Sequence, residues 1–157
     1  MKHWLVKTEP EVYSIDQLKK DRTTRWDCVR NYQARNYLQE MQLGDKVLIY
    51  HSNSDPSAIV GEAIVYELAI PDKYQFDPKS EYYDSKATKD NPRWFAPELK
   101  FIKKYPQPLS LNDLRSYKSL SKMKLMQKGS RLSVQPVDKA EFDLIAKLGN
   151  PSRSTTG

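Results

Sequence analysis

Two runs rich in β-branched and aromatic residues, Lys46–Tyr50 and Ala58–Tyr66, stand only a short link apart. That link, His51–Ser57, is made of Ser, Asn, Asp and Pro among others, residue types that form turns. The two runs are therefore close enough to pair antiparallel. The other strand-like segments are His3–Lys7, Glu98–Tyr105 and Leu132–Gln135. Too few helical patterns lie between them for crossover helices to join every strand. The chain is thus an α+β domain with a small, curved or closed, mostly antiparallel sheet, and not a doubly wound parallel one.

The helical segments have local start and stop signals. Ser14 and Gln17 have the spacing of a capping box before a short helix through Leu18. A second helix runs from about Tyr32 to Gln42, with Ala34, Tyr37, Leu38 and Met41 on one face and Gly44 placed as its C-terminal cap. Ser110 caps a short helix ending near Tyr117. Asp138 with Glu141 opens the last helix, which carries Phe142, Ile145 and Leu148 and stops at Gly149. Residues 71–93 are polar but hold Tyr82 and Tyr83, which predicts an ordered loop. The tail, 149–157, has no periodicity and is expected to be mobile.

Composition removes several function classes. No apolar run of the 157 residues approaches the ~20 needed to span a bilayer. The single cysteine, Cys28, excludes an internal disulfide and a zinc site of several thiolates. His3 and His51 show no ligand spacing, so neither metal nor cofactor is expected. The chain reads as intracellular, cytoplasmic or, in a eukaryote, nuclear, with no membrane partner. The net charge is +6, and Lys100–Arg131 holds nine basic residues against one acidic. A local excess of this kind attracts polyanions, nucleic acid first, although a solvated lysine face has the same composition. Within it, Lys118, Lys122, Lys124 and Lys128 are the candidates for backbone phosphates.

Catalytic motifs are absent: no phosphate-binding glycine loop, no dinucleotide fingerprint and no nucleophile elbow. A thiol nucleophile at Cys28 with His51 and Asn31 is compatible with the sequence, but nothing supports it. The informative segment is Arg25–Asn36. Asn31 suits an N-cap, and the helix start behind it favours an anion. The plainer reading is a cap with surface arginines packed on Tyr32.

Trp4-Leu-Val-Lys7-Thr8-Glu9-Pro10, Tyr13-Ser14-Ile15, Trp26-Asp-Cys-Val29-Arg30-Asn31 and Ala34-Arg35-Asn36 resemble the EVE domain family. The similarity continues through Tyr50-His51-Ser52, Ile59-Val60-Gly61, Pro92-Arg93-Trp94 and Ser130–Val137, and covers residues 1–148 as one domain. It implies a PUA-like fold, a small β-barrel flanked by short helices and related to the YTH readers of methylated adenine. It also implies a non-catalytic domain whose pocket binds a modified base in DNA or RNA; separately, the chain is expected to be a monomer. One departure is Cys28, where the family commonly has Gly after the acidic residue, which leaves the local backbone open to question.

Nucleobases stack on aromatic side chains, and a methyl group fits an aromatic cage without needing a hydrogen bond. Trp4, Trp26 and Trp94 are the aromatic candidates. Trp26 lies between Arg25 and Asp27, which argues against deep burial. Asn31, Ser52, Arg131 and Ser133 match the family's motif ends and are expected at the same cleft, with Lys7 and Glu9 on its edge; Val29, Arg30, Arg35, Asn36 and Tyr50 are further ligand-binding candidates. Two alternatives stay open: a binder of a free small molecule or nucleotide, and a Cys28-dependent enzyme.

Overall fold

A computed structural model describes residues 1–151. The strands are β1 (His3–Thr8), β2 (Thr23–Arg25), β3 (Lys46–His51), β4 (Ala58–Pro71), β5 (Phe95–Ser110) and β6 (Val134–Val137). The helices are α1 (Ile15–Asp21), α2 (Tyr32–Glu40), α3 (Leu111–Arg115) and α4 (Lys139–Gly149). One sheet runs in the order β2-β5-β4-β3-β1-β6. The expected hairpin forms between β3 and β4, with Lys46 opposite Ile64 and His51 opposite Ala58. Only β1 and β3 are parallel; the other pairings are antiparallel.

Closure into a barrel does not occur. The edge strands β2 and β6 have three and four residues, each has a single neighbour in the sheet, and they do not pair with each other. The long hairpin β4–β5 gives the sheet its irregular course. Its register shifts at four places, and each extra residue raises local twist. At one of them a Cβ on Gly61 would strike the Lys103 carbonyl, so only glycine permits that approach.

Alternation along the central strands feeds two apolar layers. Trp4, Val6, Val47 and Ile49 pack with Ile15 and Leu18 of α1 and Ala34 and Leu38 of α2. Leu5, Leu48 and Tyr50 pack with Leu114 of α3 and Phe142 and Ile145 of α4. Each buried side chain of this size contributes about 1.5–3 kcal/mol, so both layers are needed to hold the sheet.

Several local expectations change. Ser14 Oγ accepts from Gln17 N–H at 3.0 Å, but Gln17 Nε2 donates to Asp21 at 2.8 Å, so only half the box forms. Helix α2 ends at Glu40, and Gly44 (φ +88°) sits in the following turn. The cause is Asp45, whose buried carboxylate accepts from Gln42 N–H and from the Trp4 indole, both at 3.0 Å. The boxes Ser110–Asp113 and Asp138–Glu141 are complete. The last strand lies two residues later than its expected start. Gly149 is the final residue of α4 and Asn150 its cap, so the expected tail begins inside the helix; 152–157 lie outside the described residues.

Residues 71–93 are ordered around one side chain. Gln75 is fully buried; its Oε1 accepts from the Arg93 and Trp94 amides, and its Nε2 donates to the Asp72 and Trp94 carbonyls. This clamp holds the loop beside the end of β2.

Candidate functional site

Beyond the end of β1 lie two contiguous clefts that share Lys7, Thr8, Glu9 and Ser133. Backbone pairing makes the junction: Lys7 N–H donates to the Ser133 carbonyl at 2.9 Å, and Ser52 N–H to the Thr8 carbonyl at 3.0 Å. The first cleft, about 590 Å³, runs along Tyr13, Thr24 and the segment Arg25–Arg30 to Glu81 and Tyr82. The second, about 610 Å³, adds Ser52, Asn53, Ser130 and Arg131.

The wall of the first cleft is built from the core outward. Trp26 is only 8% exposed, which corrects the expectation of a shallow indole. Its amide donates to the Pro97 carbonyl at 2.8 Å, and Tyr13 meets its ring edge-on at 6.2 Å. Next, Cys28 adopts φ +66°, the left-handed conformation that suits glycine, and its amide donates to Asp72 at 2.7 Å. Asp72 is itself buried and also pairs with Arg30 at 3.0 Å. Arg30 donates further to the Tyr82 and Val29 carbonyls, and its guanidinium lies 5.6 Å from the Tyr82 ring and 5.3 Å from that of Trp94.

Charge in this cleft is unequally satisfied. Arg25 is held by Glu67 at 2.7 Å and Glu98 at 3.2 Å, and Arg30 by Asp72. Among the described residues, Glu9, Asp27 and Glu81 form no ion pair. Burial, reinforced by Asp72, raises the pKa of Asp27. Burial and the nearby Asp27 push the Cys28 thiol up to about 12, the opposite of an activated nucleophile. His51 Nε2 accepts from the Ile15 amide at 3.1 Å and is thereby committed to α1. Cys28–His51 chemistry therefore finds no support in this geometry.

Of the residues expected at the site, Lys7, Glu9, Trp26, Val29, Arg30, Ser52, Arg131 and Ser133 line the two clefts. The remainder do not. Trp4 is 1% exposed and belongs to the core, tied to Asp45. Tyr50 is buried in the other layer and borders a third cleft of about 450 Å³ with Lys7, Arg115 and Lys128. Asn31 caps α2, accepting from Ala34 N–H at 2.9 Å. Trp94 stacks on Tyr32 at 5.0 Å and donates to Asp84, while Arg35 covers that pair and donates to Asn36 and the Arg93 carbonyl. Of these four, Trp94 lies against Arg30, Arg35 with Asn36 braces Trp94, and Asn31 is a helix cap. Tyr13, Asp27 and Tyr82 were given no site role in the sequence, although Tyr13 and Asp27 lie inside the family-like motifs and Tyr82 belongs to an aromatic pair in a polar loop.

The basic stretch is not one patch. Lys104 pairs with Asp16 at 2.7 Å, and Lys100 lies 5.5 Å from the Tyr66 ring, both away from the clefts. Lys118, Lys122 and Lys128 are exposed and Lys124 half-buried, with no ion pair among the described residues. Among those residues no group of three or more His, Cys, Asp or Glu could hold a metal, and no helix is long and apolar enough to cross a membrane.

An EVE domain model matches residues 2–148. Human thymocyte nuclear protein 1 is 37% identical over 165 residues, covering 93% of this chain and 73% of that protein. The chicken protein of that name is also 37% identical, covering 93% and 68%. The crystal structure of human THYN1 protein in complex with 5-methylcytosine containing DNA superposes with a TM-score of 0.90 at 36% identity, covering 97% of this chain and 99% of that one. A hypothetical protein from Leishmania major gives the same TM-score at 44% identity, covering 95% and 94%.

Proposed function

The chain belongs to the EVE domain family, and from that premise we propose that it is a non-catalytic, nucleic-acid-binding domain that recognises a modified base. One observation carries the reading: an aromatic-walled cleft with both its arginines already paired opens, past Lys7, into a second cleft edged by Arg131. A flipped base is uncharged and stacks, whereas its phosphate is an anion. The first cleft suits the base, walled by Trp26, Val29 and Arg30 with Tyr13 and Tyr82. The second suits the phosphate and sugar, at Lys7, Ser52, Arg131 and Ser133. Lys118, Lys122, Lys124 and Lys128 extend the positive surface that a strand would follow. The human relative solved with methylcytosine DNA supports DNA as the polymer. We read residues 1–148 as one PUA-like unit acting as a monomer; the relatives' name supports a nuclear location in a eukaryote.

Fluorescence anisotropy with labelled oligonucleotides that differ in one central base tests this. The expected result is tighter binding of a modified-base strand than of its unmodified twin, with log affinity falling linearly against log salt. Equal affinity for both strands would overturn base reading. Binding of the free modified nucleoside with no salt slope would favour a small-molecule site instead.

A further inference from the structure

Resting on the base-reading proposal, we infer that Asp27 reads the edge of the base and selects one bearing an exocyclic amine. Arg25 and Arg30, the two arginines of the first cleft, are each held by a carboxylate, at 2.7 Å and 3.0 Å. Lys7 donates to the Ser130 carbonyl at 3.4 Å. The two guanidinium groups of the cleft are therefore engaged, and the carboxylates of Glu9, Asp27 and Glu81 are left to accept from a ligand. Glu9 and Glu81 are exposed at its rim, whereas Asp27 is half-buried beside Trp26, where a stacked base would lie. Its carboxylate forms no ion pair among the described residues, and its side-chain hydrogen-bond neighbour is the Cys28 thiol, a weak donor. The Asp72 carboxylate nearby adds negative potential and is fully occupied by Arg30 and two backbone amides.

A half-buried carboxylate held only by a weak thiol donor keeps acceptor capacity, so a base edge that sets an oxygen against it is penalised there. Cytosine and adenine present an amine beside a ring nitrogen. Thymine and uracil present a carbonyl oxygen in place of the amine, which faces the carboxylate acceptor to acceptor, and leave only a ring N–H flanked by two oxygens to donate. 5-Methylcytosine and thymine make the sharpest comparison, because both carry the same methyl group on the same ring. They differ at the exocyclic group and the adjoining nitrogen. Apolar contact with the methyl cannot tell them apart, but Asp27 can.

The test uses the full chain and three single strands identical except for 5-methylcytosine, cytosine or thymine at the centre. The inference expects the 5-methylcytosine strand to bind at least about tenfold tighter than the thymine strand. Asp27→Asn keeps the shape but can rotate its amide to donate to the thymine carbonyl, so the ratio should fall to about one or invert. Asp27→Ala should also erase the ratio, and thermal melts confirm that each variant is folded. A parent ratio near one, or a ratio kept intact in folded Asp27→Asn, overturns the role of Asp27. If 5-methylcytosine beats cytosine while either of those holds, base reading survives and only the Asp27 inference fails. If no strand binds above an unrelated one, both fail.

Discussion

The wall from Arg25 to Arg30 and the stretch from Lys118 to Arg131 are both rich in cations, yet they handle charge in opposite ways. In the wall each arginine is locked: Arg25 between Glu67 and Glu98, Arg30 on Asp72 and between two aromatic rings. Along the lysine stretch no cation pairs with a carboxylate among the described residues, and most side chains reach water. A locked charge holds shape and offers little net field. A free one attracts any polyanion and is screened by salt within about 10 Å at 0.1 M. The difference teaches that positive charge in this chain does two jobs, and that breaking each should leave a different signature.

The largest effect is expected at Trp26. Truncating a core indole costs about 3–5 kcal/mol, and its burial places Trp26→Ala in that class. A urea melt measures the loss. Trp26→Phe should recover much of it while keeping an aromatic wall. A Trp26→Ala protein as stable as the parent would show that the indole belongs to the cleft alone. Arg30→Ala comes next. It leaves Asp72, 1% exposed at its side chain, without its cation, and breaking a buried pair in this way costs about 3 kcal/mol. Arg30→Lys should rescue only partly, because an ammonium cannot span Asp72 and two carbonyls as the guanidinium fork does.

These two residues also mark where reading the chain stops being local. The Ser110 cap and the Asp138–Glu141 box rest on residues three apart, and the β3–β4 hairpin is bounded by its own turn, so these were legible. The Ser14–Gln17 box has the same spacing but half fails because Asp21 takes the Gln17 side-chain amide. The strand β2 was not, because three residues become a strand only when Glu98–Lys100 arrive beside them. The full length of β4 and β5 was hidden by register shifts that break the period-two pattern. Open rather than closed edges depend on which strands end up far apart, a property of no single segment. Trp26 misled for a geometric reason: successive side chains of an extended chain face different ways, so charged neighbours say little about its own burial. Asp27 became a candidate only once Asp72, forty-five residues on, was seen to take Arg30.

Neutralising Lys118, Lys122 and Lys124 to Gln sharpens the other side of the comparison. Each exposed substitution should move stability by no more than about 0.5 kcal/mol. If all three meet phosphates, the log–log salt slope on single strands should flatten by about two, at about 0.7 per contact. The loss should be uniform across modified and unmodified strands, since phosphate contacts carry no base information. An unchanged slope in anisotropy titrations from low to physiological salt would reduce these lysines to a solvated face.

The smallest effect tests the one strained point in the wall. Cys28 holds a left-handed conformation that costs a residue with a Cβ about 1–2 kcal/mol. Glycine removes that cost but adds about 0.4–1 kcal/mol of unfolded-chain entropy. Cys28→Gly should therefore stabilise the fold by up to about 1 kcal/mol, read as a shift in the urea midpoint at constant slope. The amide that donates to Asp72 is retained in glycine, so the Arg30 clamp should persist. Ligand affinity should be unchanged or slightly improved, because the substitution only widens the cleft. The thiol itself should react slowly with iodoacetamide at neutral pH, since a pKa pushed to about 12 leaves almost no thiolate. Rapid alkylation would mean an accessible, ionised thiol, whereas a loss of stability in Cys28→Gly would mean that the side chain contributes packing the wall depends on. The departure from glycine would then be an adaptation of this cleft and not a tolerated strain.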